Sequence, residues 1–199
     1  TTGLPPEQGD VTVVGLHQDG ITTCLVRGEN LTPHRLQDAL DRCDLLVTFF
    51  GTVFDVPYLL AKFPGLRVPS LHFDLCFAAR RLGLRGGLKS IEATLGIKRG
   101  PDIEGLDGWD AVRLWAEWRH GHAAARERLL AYSRADTEHL VRPTVDPTLL
   151  LGAQAGIVGD LQCGVERLLV LCRVVVGTGD GGVGELIRAQ EVLPADLGR

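Results

Sequence analysis

The stretch Leu45-Leu46-Val47-Thr48-Phe49-Phe50-Gly51-Thr52-Val53-Phe54-Asp55 decides the fold. Its first part, Leu45 to Phe50, is an unbroken apolar run of strand length. Such a run fits a strand covered on both faces, as in the middle of an α/β sheet, where a half-exposed strand would alternate polar and apolar residues. Gly51 ends the run, and Asp55 falls just beyond its carboxyl end. Ligands and active sites of open α/β sheets collect at that end of the strands.

Working outward, the preceding residues alternate as strands do. Val11 to Leu16 and Ile21 to Val26 are rich in β-branched residues and are joined by the turn signal Gln18-Asp19-Gly20, which predicts a hairpin. Thr32-Pro33 is a capping residue followed by proline at the first helical position, and it predicts a helix to about Arg42. After Asp55 the spacing of Phe54, Leu59, Leu60 and Phe63 predicts a helix stopped by Pro64-Gly65. Leu71 to Leu75 reads as a short strand leading into a helix through Leu82. Helices follow at Leu88–Leu95, Asp110–His120 and His122–Val141. A sheet-forming half followed by helices implies an α/β layer architecture.

Composition narrows the function. The chain has 199 residues, 45% hydrophobic, with 25 acidic and 21 basic side chains and a net charge of −4. That size predicts one domain with a sizeable core, with room for a tail. The acidic balance argues against coating nucleic acid through bulk charge, but not against gripping a short nucleic-acid end. Cysteines 24, 43, 76, 163 and 172 form no zinc-like spacing, and they are expected to be reduced thiols of a soluble, cytoplasmic protein. No apolar run is long enough to span a bilayer, so no membrane partner is expected. Past Pro143 the composition becomes Gly-rich, which places a boundary there, with residues 143–199 as a tail of unknown structure.

Two further residues join Asp55. Tyr132 and Asp136 lie four apart on a helix and therefore share a face. An acid at a strand end and an acid–Tyr pair on a helix suit hard divalent cations, which prefer oxygen ligands. Each residue also has a plain structural reading: Asp55 as a helix cap, Tyr132 as core, and Asp136 as a solvated helix position.

Three segments in order carry a family resemblance: Thr1-Thr2-Gly3-Leu4, Phe50-Gly51-Thr52-Val53-Phe54-Asp55, and Tyr132 with Asp136. They resemble the Asp-x-Glu-Thr-Thr-Gly-Leu, Asn-Gly-x-x-Phe-Asp and Tyr-x-x-x-Asp motifs of the ribonuclease H-like DEDD exonucleases, tyrosine subclass, and in particular its YprB-like group. His72-Phe73-Asp74-Leu75, Leu88 to Glu92 and Gly105 to Trp115 are also similar to members of that group. The resemblance covers residues 1–142 and implies a ribonuclease H-like mixed sheet, a hairpin plus parallel strands, flanked by helices.

It also implies a 3′–5′ exonuclease that hydrolyses phosphodiester bonds of DNA or RNA at a single-stranded 3′ end, using two Mg²⁺ or Mn²⁺ ions. Asp55 and Asp136 would be metal ligands, with Asp74 as a secondary carboxylate or a helix cap. Tyr132 would orient the attacking water, and Gly3 and Leu4 would contact the terminal nucleotide. The sequence departs from the pattern in two places. Phe50 replaces the Asn, and the Asp and Glu of the first motif would fall immediately before Thr1. The expectation is therefore a domain cut inside its first motif and first strand, inactive or nearly so. A non-catalytic nucleic-acid-binding module on the same fold is the alternative.

Three other features invite a function. Val174-Val175-Val176-Gly177-Thr178-Gly179-Asp180-Gly181-Gly182 contains Gly-x-Gly-x-x-Gly after a strand-like run, as dinucleotide-binding turns do. Only 17 residues remain after Gly182, too few for the rest of such a unit, so a loop is expected. Trp109, Trp115 and Trp118 are expected in the core rather than as a base-stacking platform. Arg80, Arg81, Arg85 and Lys89 form a basic cluster that suits phosphates and a solvated helix face equally well.

Overall fold

The computed structural model describes residues 5–145 and 168–177. Five strands, β1 (Asp10–Gln18), β2 (Ile21–Val26), β3 (Leu45–Thr48), β4 (Leu71–Asp74) and β5 (Leu168–Gly177), make one sheet in the order β2-β1-β5-β3-β4. β1 runs antiparallel to both β2 and β5, whereas β5, β3 and β4 are mutually parallel. The helices are α1 (Pro33–Asp41), α2 (Asp55–Lys62), α3 (Leu75–Arg81), α4 (Leu88–Thr94), α5 (Gly108–Arg119) and α6 (Ala123–Val145). This is the expected mixed sheet flanked by helices.

Local chemistry sets the element ends. Thr32 caps α1 by accepting from the Arg35 N–H, with Pro33 in the first turn. Asp107 and Asp110 form a reciprocal capping box at the start of α5. Asp19 and Gly20 both adopt positive φ, 52° and 77°, as the β1–β2 turn requires.

The strand pattern then sorts side chains into two layers. Leu46 of β3 and Leu25 of β2 face one side, where they pack with Leu36, Ala39 and Leu40 of α1 and Tyr58 and Leu59 of α2. Val13, Cys24 and Val26 face the other side, against Leu114, Trp115, Leu129 and Tyr132 of α5 and α6. Leu45, Val47 and Phe73 continue that second layer against Leu75, Ala78 and Leu140. In β1, Val11, Val14 and Leu16 share the α1–α2 side while Val13 does not, because the ladder shifts register between Val11 and Val13. Each fully buried Leu in these layers contributes roughly 1.5–3 kcal/mol by transfer from water.

Two findings concern the stretch read as a tail. α6 runs through Pro143 to Val145, past the expected boundary. Residues 168–177, far from the hairpin in sequence, fill the central slot between β1 and β3. Their run Leu-Leu-Val-Leu-Cys-Arg-Val-Val-Val-Gly has the composition of a strand hydrogen-bonded on both sides. Gly177 ends β5, and the remainder of the glycine-rich turn lies outside the described residues. Trp115 is buried and meets the Trp118 ring edge-on at 5.0 Å, as core packing predicts.

Candidate active site

The loop between β3 and α2 is shaped by close contacts. Phe50 lies in the left-handed region, φ 63°, where a bulky side chain is costly. A Cβ on Gly51 would stand 2.5 Å from Thr48 Cβ, so only glycine lets the chain pass there. Thr48 is itself fixed by a 2.9 Å hydrogen bond between its hydroxyl and His72 Nε2.

Asp74 anchors this loop from the neighbouring strand. One carboxylate oxygen accepts from the Phe50 N–H at 2.7 Å and the other from the Thr52 N–H at 3.0 Å. Oδ1 also accepts from the Cys76 N–H at 3.1 Å, capping α3. Of the two readings open for Asp74, the helix cap is therefore the one its contacts display, extended to holding the loop in front of Asp55.

Asp55 opens α2 and is 3% exposed. A carboxylate there sits favourably against the helix N-terminus. Asp136 is 1% exposed on α6, in the opposite helical layer. One turn further along α6, Leu140 meets Phe49 at the end of β3, together with Leu88 and Ile91 of α4, around a small apolar cavity. This places the Asp136 segment of α6 near the carboxyl end of β3, from which Asp55 follows.

Around Asp136 the structure adds three residues that the motif reading did not assign. Arg99 Nη2 lies 2.6 Å from Asp136 Oδ1 and 2.6 Å from Glu92 Oε1, and Arg99 Nε donates to Glu92 Oε2 at 2.7 Å. His139 Nδ1 stands 3.1 Å from Glu92 Oε1. Burial would lower the Arg99 pKa, but its hydrogen bond to Glu92 and the charges of Asp136 and Glu92 raise it, so it is a permanent cation. A signal for Glu92 existed in the sequence: it follows Ile91 on the inward face of a short helix, an unusual place for an acid. Arg99 lies after the helix ends, where no pattern announces a buried cation.

Tyr132 is fully buried, packed in the layer with Val13 and Leu129. Arg99 and Lys89 approach its ring to 5.5 Å and 5.3 Å. Tyr132 and Asp136 thus share one helix face with Arg99 beside both. Gly3 and Leu4 lie outside the described residues.

A family model for the RNase H superfamily, RNase_H_2, matches residues 1–143. The chain belongs to the RNase H superfamily. No curated protein and no solved structure matches it. RNase H superfamily membership points to nuclease-type hydrolysis, with nucleic acid as the substrate. No helix among the described residues is long and apolar enough to cross a membrane.

Ribonuclease H-like nucleases ordinarily use divalent metal ions, and the residues described do not by themselves make such a site. Among them, no three His, Cys, Asp or Glu side chains come together to hold an ion. Asp136 carries the Arg99 cation, and Asp74 is engaged by backbone N–H groups through both oxygens.

Proposed function

We propose that this domain is of the 3′–5′ exonuclease kind, of the DEDD type with tyrosine subclass and YprB-like affinities, acting on single-stranded ends of DNA or RNA. The observation that carries the reading is the burial of two acids in opposite helical layers: Asp55 at the start of α2, after the loop that leaves β3, and Asp136 on α6. Both occupy the positions at which the family motifs carry acids, and acids buried at such positions are candidates for a functional site. Asp55 and Asp136 are read as the carboxylates that would hold divalent ions at the scissile phosphate. Tyr132 is read as the group that fixes the approach of water, and Asp74 as a positioning residue that holds the Phe50–Thr52 turn. Mg²⁺ or Mn²⁺ is the expected cofactor only once further acids complete the set, and the family pattern puts them in an Asp-x-Glu before Thr1.

A second reading, a non-catalytic nucleic-acid-binding module, is favoured by one observation: the Arg99 guanidinium lies 2.6 Å from both Asp136 and Glu92.

The codons upstream of Thr1 separate the two. The exonuclease reading expects Asp-x-Glu there. It also expects that protein carrying those residues shortens a 5′-labelled single strand stepwise from its 3′ end in Mn²⁺. Upstream codons for neither acid, or intact substrate from the longer protein, would overturn it in favour of the binding module.

A further inference from the structure

The residue that departs from the family pattern, Phe50, does not stand alone. Its ring lies 6.4 Å from that of Phe77 on α3, tilted by 38°, and the Arg80 guanidinium lies 5.8 Å from the Phe77 ring centre. Phe77 is 40% exposed although it is a large apolar residue, and Arg80 beside it is exposed as well. The Phe50 backbone is kept in the left-handed region by the Asp74 hydrogen bond, a conformation disfavoured for an aromatic residue. Strain of this kind persists where the surroundings impose it, and it collects at ligand-binding positions.

The Asp74 carboxylate beside Phe50 is taken up by backbone N–H groups, and the segment that follows it carries charge of one sign. Between Asp74 and Glu92 the chain contains Arg80, Arg81, Arg85 and Lys89 and no acid, in a protein whose net charge is −4. Lys89 reaches the ring of Tyr132, so this basic segment borders the candidate site itself. Two aromatic rings, a guanidinium over one of them, the exposed Arg81 and Arg85 and the half-buried Lys89 form the chemistry that holds unpaired bases and their phosphates. A duplex keeps its base faces stacked inside and offers none to such a surface.

We propose that Phe50, Phe77 and Arg80 form a stacking platform for a base of a single-stranded nucleic acid, with Arg81, Arg85 and Lys89 along its phosphates. The proposal rests on the nucleic-acid-end reading above, and it names where the strand lies before it reaches Asp55. Phe77 and Phe50 contribute ring faces, Arg80 extends the stack, and Asp74 holds Phe50 in place.

The test is binding of a short 5′-fluorescein oligothymidylate in EDTA, read by fluorescence anisotropy, beside an abasic strand of equal length. The wild-type chain is expected to prefer the base-bearing strand. Phe77→Ala should weaken its binding about tenfold and erase that preference, and Phe77→Trp should restore both. Arg80→Gln should weaken both strands and flatten the salt dependence. Phe77 is exposed, so unchanged melting of Phe77→Ala separates loss of binding from loss of fold. No binding by the wild-type chain, equal affinity for the two strands, or an indifferent Phe77→Ala would overturn the platform. EDTA keeps this outcome apart from hydrolysis: a platform that binds in a protein that never cuts leaves the proposal standing and removes the exonuclease reading.

Discussion

Arg99 Nη2 stands 2.6 Å from Asp136 Oδ1, with the two side chains 6% and 2% exposed. The same guanidinium spans Glu92 with two further bonds, so one cation balances two buried acids. Removing one partner of a buried ion pair leaves an uncompensated charge, at a cost of about 3–5 kcal/mol. Arg99→Met, which keeps the length and removes the charge, should lower stability by that amount in urea unfolding. Glu92→Gln with Arg99→Met should recover part of it, because fewer bare carboxylates remain. An Arg99→Met protein as stable as wild type would show that the cluster is neutralised in some other way.

The position of β5 gives a second prediction. It hydrogen-bonds to β1 on one side and β3 on the other, and it lies against α5 and α6. A protein ending at residue 167 loses the strand that joins the hairpin to the parallel pair. It should lose cooperative unfolding and near-UV dichroism while keeping helical far-UV signal, as partly packed states do. A truncated protein with the wild-type melting transition would contradict the sheet order.

Gly51 makes a third. An alanine Cβ there would meet Thr48 at 2.5–2.7 Å, and Thr48 is held by His72. Overpacking of this kind costs about 1–3 kcal/mol, so Gly51→Ala should lower the urea midpoint accordingly. Adding Thr48→Ala should relieve the strain from the Cγ2 and Oγ1 contacts and recover part of the loss.

His72 supplies the pH dependence. Burial lowers its pKa below the ordinary 6.5, against the opposing pull of the Asp74 charge. The unfolded chain therefore binds a proton at a pH where the folded chain still excludes it. Stability rises with pH wherever the unfolded state binds more protons, so it should fall as pH drops below about 6.5. Urea midpoints at about pH 7.5 and pH 5.5 should show a smaller drop for His72→Gln than for wild type.

The fold was legible where chemistry is local. The hairpin, the buried run at β3 and the helices from Pro33 to Val141 all show periodicity, caps or turn residues that act within a few positions. The slot of β5 was not legible, because the run at 168–177 shows a strand but not which edges it joins across some 120 residues of chain. For the site, Asp55 and Asp136 were singled out through the family motifs, and the structure buries both. The Arg99–Glu92 contact escaped, since a buried cation just after a helix carries no pattern of its own. Asp74 shows the same limit: the capping of α3 could be foreseen from its position before the helix, but its grip on Phe50 and Thr52 is a tertiary contact.

The central claim is that Asp55 and Asp136 are the acids of an exonuclease site. Its most direct measurement is the rate of 3′ shortening of a 5′-labelled single strand in Mn²⁺, by protein carrying the residues encoded before Thr1. Asp55→Asn and Asp136→Asn should each slow that rate by about 100-fold or more while oligonucleotide binding in EDTA persists. Wild-type shortening by either variant would contradict the assignment.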